Sequence, residues 1–167
     1  MTLGTFLGQT YVYAGQPGQA IKELREALEL EPRFAFGQET LALAYLEKAS
    51  YPEALKTLLR SLDSASQFPY RLGLLGYTQA KLGNRAEAEE ALRQLESRFK
   101  AGPWIPPVEV AGIHNGMGDK EQALSWLERA CQQRSTQLAF VVDDPRFRNL
   151  YSEPRFKAVL ARMGLAR

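Results

Sequence analysis

Four alanines, Ala20, Ala54, Ala88 and Ala123, stand 34, 34 and 35 residues apart, each in the same local setting. The string Gly15-Gln16-Pro17-Gly18-Gln19-Ala20-Ile21-Lys22-Glu23-Leu24 returns as Ala49-Ser50-Tyr51-Pro52-Glu53-Ala54-Leu55-Lys56-Thr57-Leu58. It returns again over residues 83–92 and 118–127. A recurrence at this period describes one supersecondary unit that cannot bury its apolar face alone, so successive units must stack. Within the unit, Ile21, Leu24, Ala27 and Leu28 carry the three-and-four spacing of a helix stripe.

Each unit divides into two helices. The first of each pair is expected over 2–14, 35–48, 69–82 and 105–117, the second over 17–30, 52–63, 85–99 and 120–133. Gly15, Gly83 and Gly118 punctuate the turn inside a pair, where a left-handed residue ends a helix. Pro17 and Pro52 fall in the first turn of the next helix, where a missing N–H does no harm. Small residues, Gly8, Ala42, Gly76 and Ala111, are expected to meet Ala20, Ala54, Ala88 and Ala123 across the pair and let the backbones approach. Leu7, Leu41, Leu75 and Val110 would fill the space beside each crossing.

The pattern resembles the tetratricopeptide repeat (TPR) family, which carries Leu-Gly-x-x-Tyr in its first helix, Ala-x-x-x-Phe and Ala in its second, and a boundary proline. Unit one matches through Leu7-Gly8, Tyr11, Ala20, Leu24, Ala27 and Pro32, and unit two through Leu41, Ala42, Tyr45, Ala54 and Leu58, with Ser61 and no proline. Unit three keeps Leu75-Gly76, Ala88 and Leu92 but has Gln79 for tyrosine; unit four keeps Ala123, Leu127 and Ala130 with His114 for tyrosine. The resemblance implies an all-α, right-handed α-solenoid of about four helix-turn-helix units: 1–34, 35–68, 69–103 and 104–134, with a C-terminal cap over 135–167, in one domain.

The tail repeats a motif of its own: Asp144-Pro145-Arg146-Phe147 is echoed by Glu153-Pro154-Arg155-Phe156. Acid-Pro opens a helix, the carboxylate capping and the proline taking the first turn. Two short helices are expected, packing Phe147, Leu150, Phe156, Val159 and Leu160 over the end of unit four. This tail is similar to those that follow TPR arrays in large bacterial transcription regulators and kinases. At the other end, the face of Leu3, Leu7 and the 17–30 helix has no neighbour in the sequence. Either the chain is a fragment, the reading favoured, or that face pairs with itself or a partner.

Composition removes several classes of function. Hydrophobic residues make up 45% and charged residues 24%, so disorder is not expected, and abundant Ala and Leu suit helices. One cysteine excludes an internal disulfide and a cysteine zinc site; one histidine excludes a two-histidine metal site. Against 19 acidic residues there are 21 basic ones, no footprint for nucleic acid or anionic membrane. No apolar run nears the ~20 residues of a membrane span. No cofactor is expected, and a reducing, cytoplasmic compartment is.

In the family, first helices line a groove that holds an extended peptide or helix. Carried over, this implies Thr5, Phe6, Gln9, Val12 and Tyr13 from unit one and Phe36, Glu39, Thr40 and Leu43 from unit two. Unit three supplies Tyr70, Gly73, Leu74, Tyr77 and Lys81, and unit four Ile105, Val108, Glu109 and Gly112. The set is aromatic and aliphatic, suited to an apolar or mixed peptide. The basic clamp with which some relatives hold a C-terminal carboxylate is replaced by Thr5, Gln9, Leu43, Gly73 and Tyr77, and Lys81 alone is no multidentate clamp. The expected function is a non-enzymatic protein-interaction scaffold. The alternative is a regulatory or architectural module of a larger bacterial regulator or kinase.

Other candidates have plainer readings. His114 could be a ligand, base or pH sensor, and an enzymatic reading would join it to Glu109 and Asp119; it stands at the core tyrosine position, so a packed, hydrogen-bonded histidine is expected. Cys131 reads as packing. The glycine-rich stretch 112–118 lacks the lysine and serine of a phosphate loop and reads as a loosened helix end. Asp143-Asp144 reads as an acidic cap and Trp104 as a staple of its loop.

Overall fold

In the computed structural model the described residues are 3–60, 69–99 and 106–165, with side chains of the second stretch described to 97. Eight helices alternate in antiparallel pairs: α1 (Leu3–Tyr13) with α2 (Pro17–Leu30), and α3 (Ala35–Glu47) with α4 (Tyr51–Arg60). The third and fourth pairs are α5 (Pro69–Lys81) with α6 (Arg85–Phe99), and α7 (Pro107–Gly116) with α8 (Lys120–Gln132). Each expected helix is present within two residues at its described ends. The end expected for the second helix of unit two, Ser61, Trp104 and the start at Ile105 lie outside the described residues.

The pairs close as the repeat requires. Gly15, Gly83 and Gly118 have φ of +68°, +83° and +83°, and Ala49 takes the same left-handed conformation in unit two at +54°. The residue after each donates its N–H five residues back, to the carbonyls of Tyr11, Tyr45, Gln79 and His114, satisfying a helix-end acceptor. Ala20, Ala54, Ala88 and Ala123 are all wholly buried.

The small-residue contacts are displaced from the expected pairs. A Cβ on Gly8 would stand 2.4 Å from Leu24 Cγ, and one on Gly76 would meet Ile113 Cδ1 at 2.6 Å and Ala91 Cβ at 2.9 Å. Gly8 thus makes room for a leucine one turn beyond Ala20, and Gly76 for the neighbouring unit as well as its own partner helix. Side chains that lean toward the helix N-terminus cover the turn before their own Cα, which moves the crossing by one turn.

After α8 the chain makes two 3-10 segments, Thr136–Phe140 and Pro145–Leu150, and then α9 (Pro154–Arg162). Phe147, Leu150, Phe156 and Val159 are buried against Ala123, Leu124 and Leu127 of α8, the expected cap, with Leu160 packed at its edge. The repeated acid-Pro-Arg-Phe motif works the same way twice. Both phenylalanines are wholly buried, and both arginines reach back to carboxylates, Arg146 to Glu109 on α7 and Arg155 to Glu128 and Glu121 on α8. Asp144 caps its segment by accepting the Arg146 N–H at 2.9 Å. The first of the two helices expected there is a 3-10 segment, and it does more than cover the end: it packs on α3 and α7 together.

Candidate functional site

The first helix of every pair contributes to one face, and the segment after α8 folds across it. Between them remains a cavity of about 220 Å³. Its walls are Gln9 and Tyr13 of α1, Phe36, Thr40 and Leu43 of α3, Tyr70 of α5, and Val108 and Glu109 of α7. Gln137, Phe140, Asp144 and Arg146 close it from the tail.

Eight of the residues expected on the groove therefore meet at one cavity. The others are elsewhere. Thr5, Val12 and Leu74 are wholly buried and Tyr77 nearly so; in this conformation they are interior packing and offer a ligand no surface. Phe6 is half exposed outside the cavity, and Lys81 lies 5.6 Å over the Tyr51 ring. Glu39 is buried against Arg71, whose Nη2 is 2.8 Å from Glu39 Oε1. Ile105 lies outside the described residues.

Sequence reasoning missed the polar floor. Arg146 is 1% exposed and donates through Nη1 to Glu109 Oε2 at 2.7 Å and through Nη2 to Asp144 Oδ2 at 2.7 Å. Its Nε completes a bidentate hold on Asp144, and its guanidinium stands 5.4 Å from the Tyr70 ring centre. Both groove-facing glycines serve this pair. A Cβ on Gly73 would overlap the Glu109 carboxylate, and one on Gly112 would come within 3.0 Å of Arg146 Nη1. Gly112 is thus a mid-helix accommodation for Arg146 rather than part of a loosened helix end. The Asp143-Asp144 pair, read as a cap alone, also supplies Arg146 with its counter-ion. The signal available in the sequence was the conjunction of glycines at groove-facing positions with the twice-used acid-Pro-Arg-Phe motif.

Burial governs the electrostatics here. Desolvation pushes Glu109 up to about 7, against the pull of Arg146, with Asp144 and Glu39 adding to the rise. Burial likewise raises Glu39 against the opposing effect of Arg71, and it raises the Tyr13 and Tyr70 hydroxyls. The tail is held outside the cavity too. Asn115 and Asn149 exchange amide hydrogen bonds at 2.7 and 2.9 Å, and Arg148 reaches Glu47 at 3.0 Å.

His114 is half-buried as expected but not hydrogen-bonded at Nδ1: that atom is buried without a partner, 3.7 Å from Asp119 Oδ2. Burial lowers its pKa. Glu109, its partner in the enzymatic reading, is committed to Arg146 instead. Cys131 packs at the edge of the terminal core. Among the described residues, no cluster of three His, Cys, Asp or Glu side chains is arranged to hold a metal, and no helix is long and apolar enough to cross a membrane.

Comparison with known proteins agrees with the repeat geometry. The tetratricopeptide repeat family model matches residues 5–34 and 71–98. These are units one and three, the two that retain Leu-Gly in the first helix. The chain is 29% identical over 143 residues to superkiller complex protein 3 of Mus musculus, covering 77% of this chain and 9% of that protein. It is 26% identical over 105 residues to tetratricopeptide repeat protein 37 of Xenopus laevis, covering 63% of this chain and 7% of that protein. Superkiller complex protein 3 of Homo sapiens is 26% identical over 121 residues, with 72% and 8% covered. The chain thus spans less than a tenth of the length of these relatives. Its period, its paired helices and these matches agree on an all-α fold of tetratricopeptide repeats, a family of protein-interaction repeats to which the chain is similar.

Proposed function

We propose that the chain is a non-enzymatic interaction module that holds a segment of a partner protein on the face built by its first helices. The observation that carries this reading is the cavity itself, bordered by α1, α3, α5 and α7 and rimmed by Phe36 and the largely exposed Phe140. Aromatic walls give large contact area at small entropic cost, which is how short segments are anchored. The tail restricts the site: a bound segment lies across units one and two and the 136–140 segment, not along the full array.

Site-specific photo-crosslinking tests it. A benzoylphenylalanine at position 140 is expected to trap a partner peptide that one at position 59, on exposed Leu59 outside the cavity, does not. Identical adducts from both positions would remove the reading.

A second reading has its own observation. Leu3, Phe6, Leu7 and Leu30 are exposed on α1 and α2, and the relatives named above are far longer than this chain. An architectural role would use this face for a neighbouring domain, a subunit or a second copy. A bacterial regulator or kinase as the larger protein, implied by the tail's resemblance, has no counterpart among these three relatives, which are vertebrate proteins. Benzoylphenylalanine at position 7 reports on this face in the same experiment.

A further inference from the structure

The buried charges beside the cavity do not balance. Among the described residues the buried acidic and basic residues are Glu39, Arg71, Glu109, Asp144 and Arg146, three carboxylates against two guanidinium groups. Glu39 takes Arg71, while Arg146 must serve both Glu109 and Asp144. One buried negative charge is left over when all are ionised, and an uncompensated buried charge is costly. The nearby Arg148 does not supply the missing cation, since it is spent on Glu47.

The rest of the lining favours the same sign. Tyr13, Phe36, Tyr70 and Phe140 present aromatic walls, whose ring faces attract cations. One polar acceptor of the lining is open to a donor. Thr40 Oγ1 donates to Phe36 O and Gln9 Nε2 to the Tyr13 hydroxyl, while Gln137 Oε1 is a buried acceptor with no hydrogen-bond partner. The 220 Å³ volume falls below the ~300–1,000 Å³ typical of pockets for drug-sized ligands and suits one long side chain.

We propose that this cavity receives one basic side chain, lysine or arginine, of the bound partner segment. Its methylene stem packs against Leu43, Val108 and Phe140, and its donor-only head supplies the cation that the Glu109–Asp144 end lacks. An acidic side chain would add to the surplus, and an apolar one would leave it in place. The inference rests on the reading that this face holds a partner segment, and deepens it. Glu109, which near neutral pH shares the surplus with a proton, ionises fully against the incoming cation.

The test is selection of random displayed dodecapeptides on the whole chain, wild type beside Glu109→Gln. The glutamine equalises buried acids and bases and can still accept from Arg146, and its circular dichroism and melting would verify its fold. Wild-type selection is expected to enrich peptides with a lysine or arginine at one recurring position. Replacing that residue by norleucine in the synthetic peptide should weaken binding about tenfold or more on the wild type and by less than about threefold on Glu109→Gln. Phe140→Ala, at an exposed site, should weaken the basic peptide while leaving the fold intact. Enrichment of apolar or acidic residues at the recurring position, or equal norleucine losses on both proteins, would overturn the basic side chain and leave the interaction face standing. No enrichment at all would overturn both.

Discussion

The carboxylate of Glu109 occupies the space that a side chain at Gly73 would fill. A Cβ there would lie 1.9 Å from Glu109 Oε2 and 2.9 Å from its Cβ. One position of α5 without a side chain therefore admits a carboxylate from α7, and Gly112 on α7 in turn admits the Arg146 guanidinium from the tail. Two glycines on successive first helices thus make the slot in which residues 37 apart in the chain form a buried ion pair.

Gly73→Ala is expected to destabilise the protein by about 1–3 kcal/mol despite alanine's better helix propensity, because the overlap is with a charged group held at two ends. Gly18→Ala, in α2 with open space around it, should raise stability by up to about 1 kcal/mol. Urea titration of both variants checks the pair, and equal shifts would contradict the packing described.

Removing one partner of a buried pair leaves the others as unpaired charges. Arg146→Met should cost about 3–5 kcal/mol and expose the 136–150 segment to proteolysis. Arg148→Ala removes the half-exposed partner of Glu47, whose side chain is 10% exposed, and should cost about 1–2 kcal/mol, less than Arg146→Met. Urea midpoints and limited proteolysis distinguish the two neighbours.

Glu109 also sets a pH dependence. Its carboxyl rises from 4.5 to about 7 on folding, so between those values the folded chain binds the extra proton. Stability from this group is full below the unfolded value and is lost as pH rises through about 7, by an amount on the order of 3 kcal/mol. His114, lowered by burial, acts oppositely, losing stability as pH falls, and is common to both proteins. The difference between wild type and Glu109→Gln, measured by urea from pH 5 to 8, should therefore move steadily against the wild type as pH rises. A flat difference would contradict the buried, proton-sharing carboxylate.

Ala49 holds the left-handed turn position that glycine holds in units one, three and four. Its Cβ costs about 1 kcal/mol in that conformation. Ala49→Gly should recover about 0.5–1 kcal/mol, read as a higher melting temperature. A lower one would mean that the turn tolerates alanine without strain.

The helices were legible because their signals are local and periodic: buried Ala20, Ala54, Ala88 and Ala123 mark the second helices, and Gly15, Gly83 and Gly118 end the first. The family match falls on units one and three, where Leu7-Gly8 and Leu75-Gly76 survive. The site was legible in part. Gln9, Tyr13, Phe36, Thr40, Leu43, Tyr70, Val108 and Glu109 were reachable by carrying the repeat register across. Leu74 and Val12 share that register but turn into the core, since a helix face is wider than the strip that meets solvent. Arg146 was not reachable this way, because its partner Glu109 is distant in sequence and its own motif reads locally as a helix opening.

The most direct test of the account is a two-dimensional NMR titration of the chain with the partner segment trapped from position 140. Shifts concentrated at Gln9, Tyr13, Phe36, Thr40 and Phe140, with Leu3, Leu7 and Leu30 unmoved, are the predicted result. Shifts confined to Leu3, Leu7 and Leu30, with the cavity residues silent, would contradict it and give the function to the end face of the array.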